Sequence, residues 1–201
     1  MRGVVLISGS GSNLQAIIDQ ATDIDLDISC VISNHADAYG LTRADNANIP
    51  THVVDHTEFD SREDFDQTVS KTIDQYNPDV VILAGFMRIF TETFAQKYCG
   101  KMLNIHPSLL PKFQGLNTHQ RVIDAHESEH GVSIHFVTTE LDGGPIIAQS
   151  RVSVLADDDA NSLAKRVLVE EHKLFSKVIH WFTQGRLELK NGNAVLDGKP
   201  L

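Results

Sequence analysis

The sequence predicts an α/β fold: a Rossmann-like mixed sheet, parallel in its N-terminal half with helices on both faces, and partly antiparallel in its C-terminal half. Three observations carry this. Over the first hundred residues short apolar runs alternate with helical segments, the pattern of repeated β-α units around a parallel sheet. Beyond residue 130 the pattern becomes a residue-by-residue alternation, with Val132, Ile134 and Phe136 on one face and Ser133 and His135 on the other. A Gly-Gly-Pro turn then precedes a further apolar run, which suggests an antiparallel pair.

The elements follow in order. "GVVLIS" (3–8) is a buried strand, and "SNLQAIIDQA" (12–21) a helix with Leu14, Ile17, Ile18 and Ala21 at helical spacing. "LDISCVIS" (26–33) is a strand, 36–48 a helix and "THVV" (51–54) a strand. The helix over 61–76 opens on a capping signal, Ser61 with Asp64. "DVVILAG" (79–85) is the clearest buried strand, and "KMLNIH" (101–106) is the next. Strands over 130–138 and 145–154 precede a long helix, 159–183, and the tail forms a β-hairpin turning at Asn191-Gly192. No repeat or linker interrupts the chain, so residues 1–201 are expected to form a single domain.

Composition narrows the function. Twenty-seven acids against 17 lysines and arginines give a net charge of −10, which argues against nucleic acid as a partner. A phosphorylated small molecule stays compatible, because a few backbone amides can hold a phosphate. The apolar run at the N-terminus is too short for a signal peptide or a membrane span, so a cytoplasmic protein is expected. Cys30 and Cys99 belong to no CxxC pair and read as buried or inert thiols in a reducing compartment.

Three motifs bear on chemistry. "SGSGSNLQ" (8–15) links a strand to a helix, where free N–H groups and the helix dipole favour an anion. It lacks the third glycine of the dinucleotide fingerprint and the Gly-Lys-Ser/Thr of a Walker loop. Its functional reading is a phosphate seat of Gly11, Ser12 and Asn13. "HESEH" (126–130) matches the helical zinc-protease signature, but Gly131 and a strand follow at once. It reads as a polar loop, and no metal is expected. In "LNIHPSLLP" (103–111) an extended chain puts Asn104 and His106 on the same face, and Pro107 keeps His106 out of the helical region. An amide and an imidazole together at the C-terminal end of a strand suit a developing oxyanion and a proton transfer. Asp142, in the glycine-flanked turn "ELDGGP" (140–145), supplies a candidate carboxylate base.

Together with "SNHADAYGL", "PDVVILAGFMRI", "GVSIHFVTTELDGGPII" and "EEH", these motifs resemble those of the phosphoribosylglycinamide formyltransferases, folate-dependent enzymes of purine synthesis. The resemblance runs from about residue 3 to 198. It implies direct formyl transfer from 10-formyltetrahydrofolate, as co-substrate, to the amine of glycinamide ribonucleotide through a tetrahedral intermediate. Asn104 and His106 then match the oxyanion-stabilising amide and the acid, and Asp142 the carboxylate that orients His106. Gly11, Ser12 and Asn13 match the segment receiving the ribotide phosphate, and Glu171 the acid meeting its ribose. Arg62, Met87, Arg88, Ile89 and Phe90, with Asn104, match folate-contacting positions. Thr138, Thr139, Glu140, Leu141 and Asp142 correspond to the loop over the pterin. The resemblance carries a monomer or homodimer with small-molecule substrates only.

The chain departs from the family pattern at "QGLNTH", where Asn117 replaces a common histidine and Gln114 a proline. An amide cannot carry a proton, so position 117 loses any titrating role. Ser10 stands where asparagine is common. Formyltetrahydrofolate deformylase and methionyl-tRNA formyltransferase use the same three catalytic residues, but usually carry an extra N- or C-terminal domain that a 201-residue chain does not accommodate. Hydrolysis of the formylfolate, or a non-catalytic nucleotide-binding module, are the alternatives.

Overall fold

The computed structural model describes residues 1–201. The first half runs β1 (Arg2–Ile7), α1 (Ser12–Gln20), β2 (Asp27–Ser33), α2 (Tyr39–Asn46), β3 (Thr51–Val53), α3 (Arg62–Asp74), β4 (Val80–Leu83), α4 (Glu92–Lys97) and β5 (Met102–His106). The second runs α5 (Thr118–Asp124), β6 (Glu129–Phe136), β7 (Ile146–Ser153), α6 (Ala160–Thr183), β8 (Leu187–Lys190), β9 (Asn193–Leu196) and β10 (Lys199–Pro200). Seven strands form one sheet in the order β3-β2-β1-β4-β5-β6-β7, and β8 to β10 form a separate antiparallel sheet. Pairing is parallel from β3 through β5 and antiparallel for β5–β6 and β6–β7. The expected mixed sheet is therefore the observed one.

The two-residue period of the strands divides the core. Val5 and Ile7 enter one apolar cluster with Leu14 and Ile17 of α1 and Val167, Phe175 and Val178 of α6. Val4 and Leu6 enter the other, with Phe65, Val69 and Ile73 of α3. Strands buried on both faces show no polar alternation, which is why the N-terminal strands read as continuous apolar runs. The helix starts follow side-chain chemistry: Ser61 Oγ accepts the Asp64 N–H, and Asp159 and Ser162 form a reciprocal capping box.

Three local expectations need revision. The helix expected over 36–48 begins only at Tyr39, because Ala38 is extended (φ −62°, ψ 117°) and residues before it turn. Helices α4 and α5 were not legible; each is about two turns long or less, too short for an apolar period to declare itself. The C-terminal hairpin turns at Asn191-Gly192 as expected, but Asp197-Gly198 repeats the same positive-φ chemistry and adds β10. Cys30 is buried, its thiol pushed up to about 11 by desolvation, whereas Cys99 is exposed. No helix is long and apolar enough to cross a membrane.

The strand order reverses at β1, whose neighbours are β2 and β4. Open α/β sheets bind ligands beyond the carboxyl ends of strands at such a switch point. Here the loops leaving β1 and β4 are tied together: Ser8 N–H donates to the Gly85 carbonyl at 3.1 Å, and Met87 N–H to Ser8 Oγ at 2.7 Å.

Candidate active site

Asn104 and His106 project from the end of β5 on the face opposite Leu103 and Ile105, which fill the larger core cluster. The shared orientation expected from their i, i+2 spacing is thus realised. What holds each of them comes from elsewhere in the chain. Asn104 lies opposite His135 in the β5–β6 register, and their side chains meet at 3.0 Å between Nδ2 and Nε2. His135 Nδ1 lies 2.9 Å from the Phe136 carbonyl, which can only accept. The proton therefore sits on Nδ1, Nε2 is the acceptor, and the Asn104 amide donates to it. Burial lowers the His135 pKa, the direction that favours the unprotonated Nε2 this pairing uses, and Nε2 stands 3.9 Å from Asp142 Oδ1. One Asn104 N–H is spent on this contact, and the second is left for a ligand.

His106 is almost wholly buried and donates from Nε2 to the Phe113 carbonyl at 2.9 Å. Its Nδ1 faces Asp142 Oδ2 at 3.5 Å. The atom open to proton exchange is therefore Nδ1. Asp142 takes a left-handed backbone (φ 50°), and its Oδ2 accepts the Gly115 N–H at 2.9 Å. The turn that carries it depends on Gly144, where a Cβ would stand 1.8 Å from the Phe136 carbonyl oxygen. Gln114 Nε2 donates to the Leu141 carbonyl at 3.1 Å, tying the two loops that flank the carboxylate. A proline at position 114 could not make this bond.

Asn104, His106 and Asp142 line one cavity of about 480 Å³, with Met87, Arg88, Ile89 and Leu141 on its walls. A smaller cavity of about 80 Å³ adjoins it, lined by Phe90, Thr138, Thr139 and Glu140 as well as Arg88, Ile89, Asn104, Leu141 and Asp142. Arg62 lies apart from both, exposed at the start of α3. Asn117 lines the larger cavity in a left-handed conformation (φ 57°) at the start of α5, a region asparagine tolerates better than most residues. Beside it His119 Nδ1 meets His130 Nε2 at 3.0 Å, and burial lowers both rings, His130 to about 4.

The HESEH motif does not form a metal site of the protease kind. His126 is in a left-handed turn (φ 51°) and β6 begins at Glu129, so its histidines share no helix face.

At the glycine loop, Gly11 is left-handed (φ 69°) and leads into α1 with no side-chain cap. The N–H groups of Ser10, Gly11, Ser12 and Asn13 donate to nothing in the protein. Asn13 Nδ2 donates to Glu171 Oε2 at 2.7 Å, both residues being 8% exposed, while Asn13 Oδ1 is buried without a partner. Burial raises the Glu171 pKa, and the Asn13 bond opposes that rise. Four open donors at a helix start make an anion seat, with a polar pair from α1 and α6 at its side.

A mixed sheet with a switch-point crevice, an amide–imidazole–carboxylate cluster and an open anion seat define the class, and the chain belongs to the formyl transferase family, whose model matches residues 1–179. Among its relatives, the phosphoribosylglycinamide formyltransferase of Escherichia coli (strain K12) is 51% identical over 100% of this chain and 96% of its own length. That of Haemophilus influenzae is 48% identical over 98% of this chain and 94% of its own. The solved structure of the phosphoribosylglycinamide formyltransferase from Coxiella burnetii superposes with a TM-score of 0.96 at 53% identity, covering 100% of this chain and 95% of that one.

Of the residues expected from sequence, the structure brings the three expected to be catalytic, Asn104, His106 and Asp142, into one cluster and Gly11, Ser12, Asn13 and Glu171 into another. His135, Phe113 and Gly115 were missed. His135 stood out only as the polar member of an alternating strand, and no sequence signal gives the register that sets it opposite Asn104.

Proposed function

We propose that residues 1–201 act as one phosphoribosylglycinamide formyltransferase, moving the formyl group of 10-formyltetrahydrofolate to the amine of glycinamide ribonucleotide. The observation that carries this is the joint presence of an open anion seat and the Asn104–His106–Asp142 cluster at the same edge of the sheet. The aromatic and backbone-rich cavities beside the cluster suit a flat pteridine, with Phe86 stacked on Phe90 at 5.1 Å on one wall.

The folate co-substrate supplies a formyl carbonyl on nitrogen. The free N–H of Asn104 donates to the oxygen that gains charge when the amine attacks, and His135 fixes the direction of that donor. His106 Nδ1 exchanges the proton, and Asp142 stabilises the imidazolium that results. The amine loses one proton and the departing folate nitrogen gains one, so the transfer needs no other reagent. Glu171 Oε1, not bonded to Asn13, meets the ribose, while the amides of Gly11, Ser12 and Asn13 hold the phosphate. Arg62, exposed on α3 outside both cavities, is assigned to the part of the folate that extends beyond them. Small-molecule substrates and a cytoplasmic setting complete the proposal.

The test is to follow the absorbance change as 10-formyltetrahydrofolate loses its formyl group, with and without glycinamide ribonucleotide. Loss that requires the ribotide is expected. Loss without it would make the chain a hydrolase, and no loss in either case would make it a non-catalytic nucleotide-binding module.

A further inference from the structure

The segment "SNHADAYGLTR" (33–43) touches neither catalytic cavity, yet its helix α2 lies directly against the glycine loop. A Cβ at Gly11 would stand 2.6 Å from the Gly40 Cα, and one at Gly40 would stand 2.4 Å from Ile7 Cδ1. A side chain at Gly11 would push α2 and the loop apart, and one at Gly40 would press on Ile7 of β1. Two further contacts use this closeness. Gly40 N–H donates to the Gly9 carbonyl at 3.0 Å, and Arg43 Nε donates to the Ser10 carbonyl at 2.8 Å. The same guanidinium reaches across the loop, with Nη1 on Gln15 Oε1 of α1 at 3.1 Å. Its carbon side lies 4.9 Å from the centre of the Tyr39 ring, which holds the plane in place.

A trans peptide is planar, with C=O and N–H pointing in opposite directions. Holding the Gly9 and Ser10 carbonyls towards α2 therefore turns the Ser10 and Gly11 N–H groups away from it, and these are among the donors left open. The Ser10 carbonyl would otherwise be free to accept the Leu14 N–H and extend the helix by one residue; Arg43 occupies it instead. We propose that Arg43 is a positioning residue for phosphate recognition. Its Nε fixes the Ser10–Gly11 peptide plane, beside the Gly9–Ser10 plane that Gly40 holds, and its effect is confined to the phosphorylated part of the substrate. This rests on the ribotide reading given above.

The experiment compares kcat/KM for glycinamide ribonucleotide and for its dephosphorylated riboside, in the wild-type enzyme, Arg43→Met and Arg43→Lys. The ratio of the two constants reports the phosphate seat alone. In both variants the ratio should fall about tenfold or more, the scale of one hydrogen bond to a charged group, with activity on the riboside unchanged. A ratio that falls in Arg43→Met but not in Arg43→Lys would assign the effect to charge and overturn positioning by the fork. An unchanged ratio in both, or an equal loss on both substrates, would overturn the proposal as well. A wild-type enzyme that does not distinguish ribotide from riboside would instead refute the phosphate seat itself.

Discussion

At the scale of single residues, the site is decided by where protons sit. The Phe113 and Phe136 carbonyls each take an imidazole N–H, and so leave His106 with Nδ1 available and His135 with Nε2 as acceptor. The motif around Asn104 and His106 was legible because an extended backbone alone aligns i and i+2. Their supports were not, since Phe113 and His135 reach them through a loop and through a strand register. His135→Leu keeps the ring's volume roughly but removes the acceptor that aims the Asn104 amide. We expect kcat to fall about tenfold with little change in folate KM, because only the developing charge uses that aim. Steady-state kinetics decide it, and an unchanged kcat would mean that Asn104 finds its direction without His135.

At the scale of elements, the carboxylate depends on a turn built for close approach. The turn leading into β7 passes the end of β6 so tightly at Gly144 that only hydrogen fits between its Cα and the Phe136 carbonyl. The "ELDGGP" turn could be read from sequence as a place where Asp142 projects; the second glycine's steric necessity needed the partner strand. Gly144→Ala must move either that carbonyl or the turn, at a cost of about 1–3 kcal/mol, typical of overpacking. Thermal unfolding should show a lower midpoint and kinetics a lower kcat, since the displaced turn carries Asp142. A variant with wild-type midpoint and turnover would show that the turn adapts freely. Helices α4 and α5 escaped sequence reading for the opposite reason: α4 is held by its Thr91 cap and the burial of Phe94 and Ala95, and α5 by the burial of Thr118 and Val122, rather than by an apolar period of their own.

At the scale of the whole molecule, buried histidines tie stability to pH. His130 titrates near 6.5 in an unfolded chain but at about 4 when folded, because burial disfavours its charged form. Between those values the unfolded chain binds a proton that the folded one does not. The resulting stabilisation is full above about 6.5 and is lost as the pH falls towards 4, a change on the order of 3 kcal/mol. Burial lowers His119 and His135 in the same sense. Urea midpoints should therefore decline through this window, and His130→Gln should flatten the decline; an equal slope in both proteins would contradict it. The sheet, whose parallel half the β-α alternation foretold, places the Asn104–His106–Asp142 cluster and the anion seat at one edge, so that on the proposed function binding and chemistry are separable by mutation. The most direct test of that claim is to measure turnover and folate binding together in His106→Ala. Loss of the proton-exchanging Nδ1 should lower kcat by about 100-fold or more while the folate still binds. A fall of only about twofold, against the 10²-fold scale of a lost acid–base group, would contradict the role assigned to His106 and with it the account of the site.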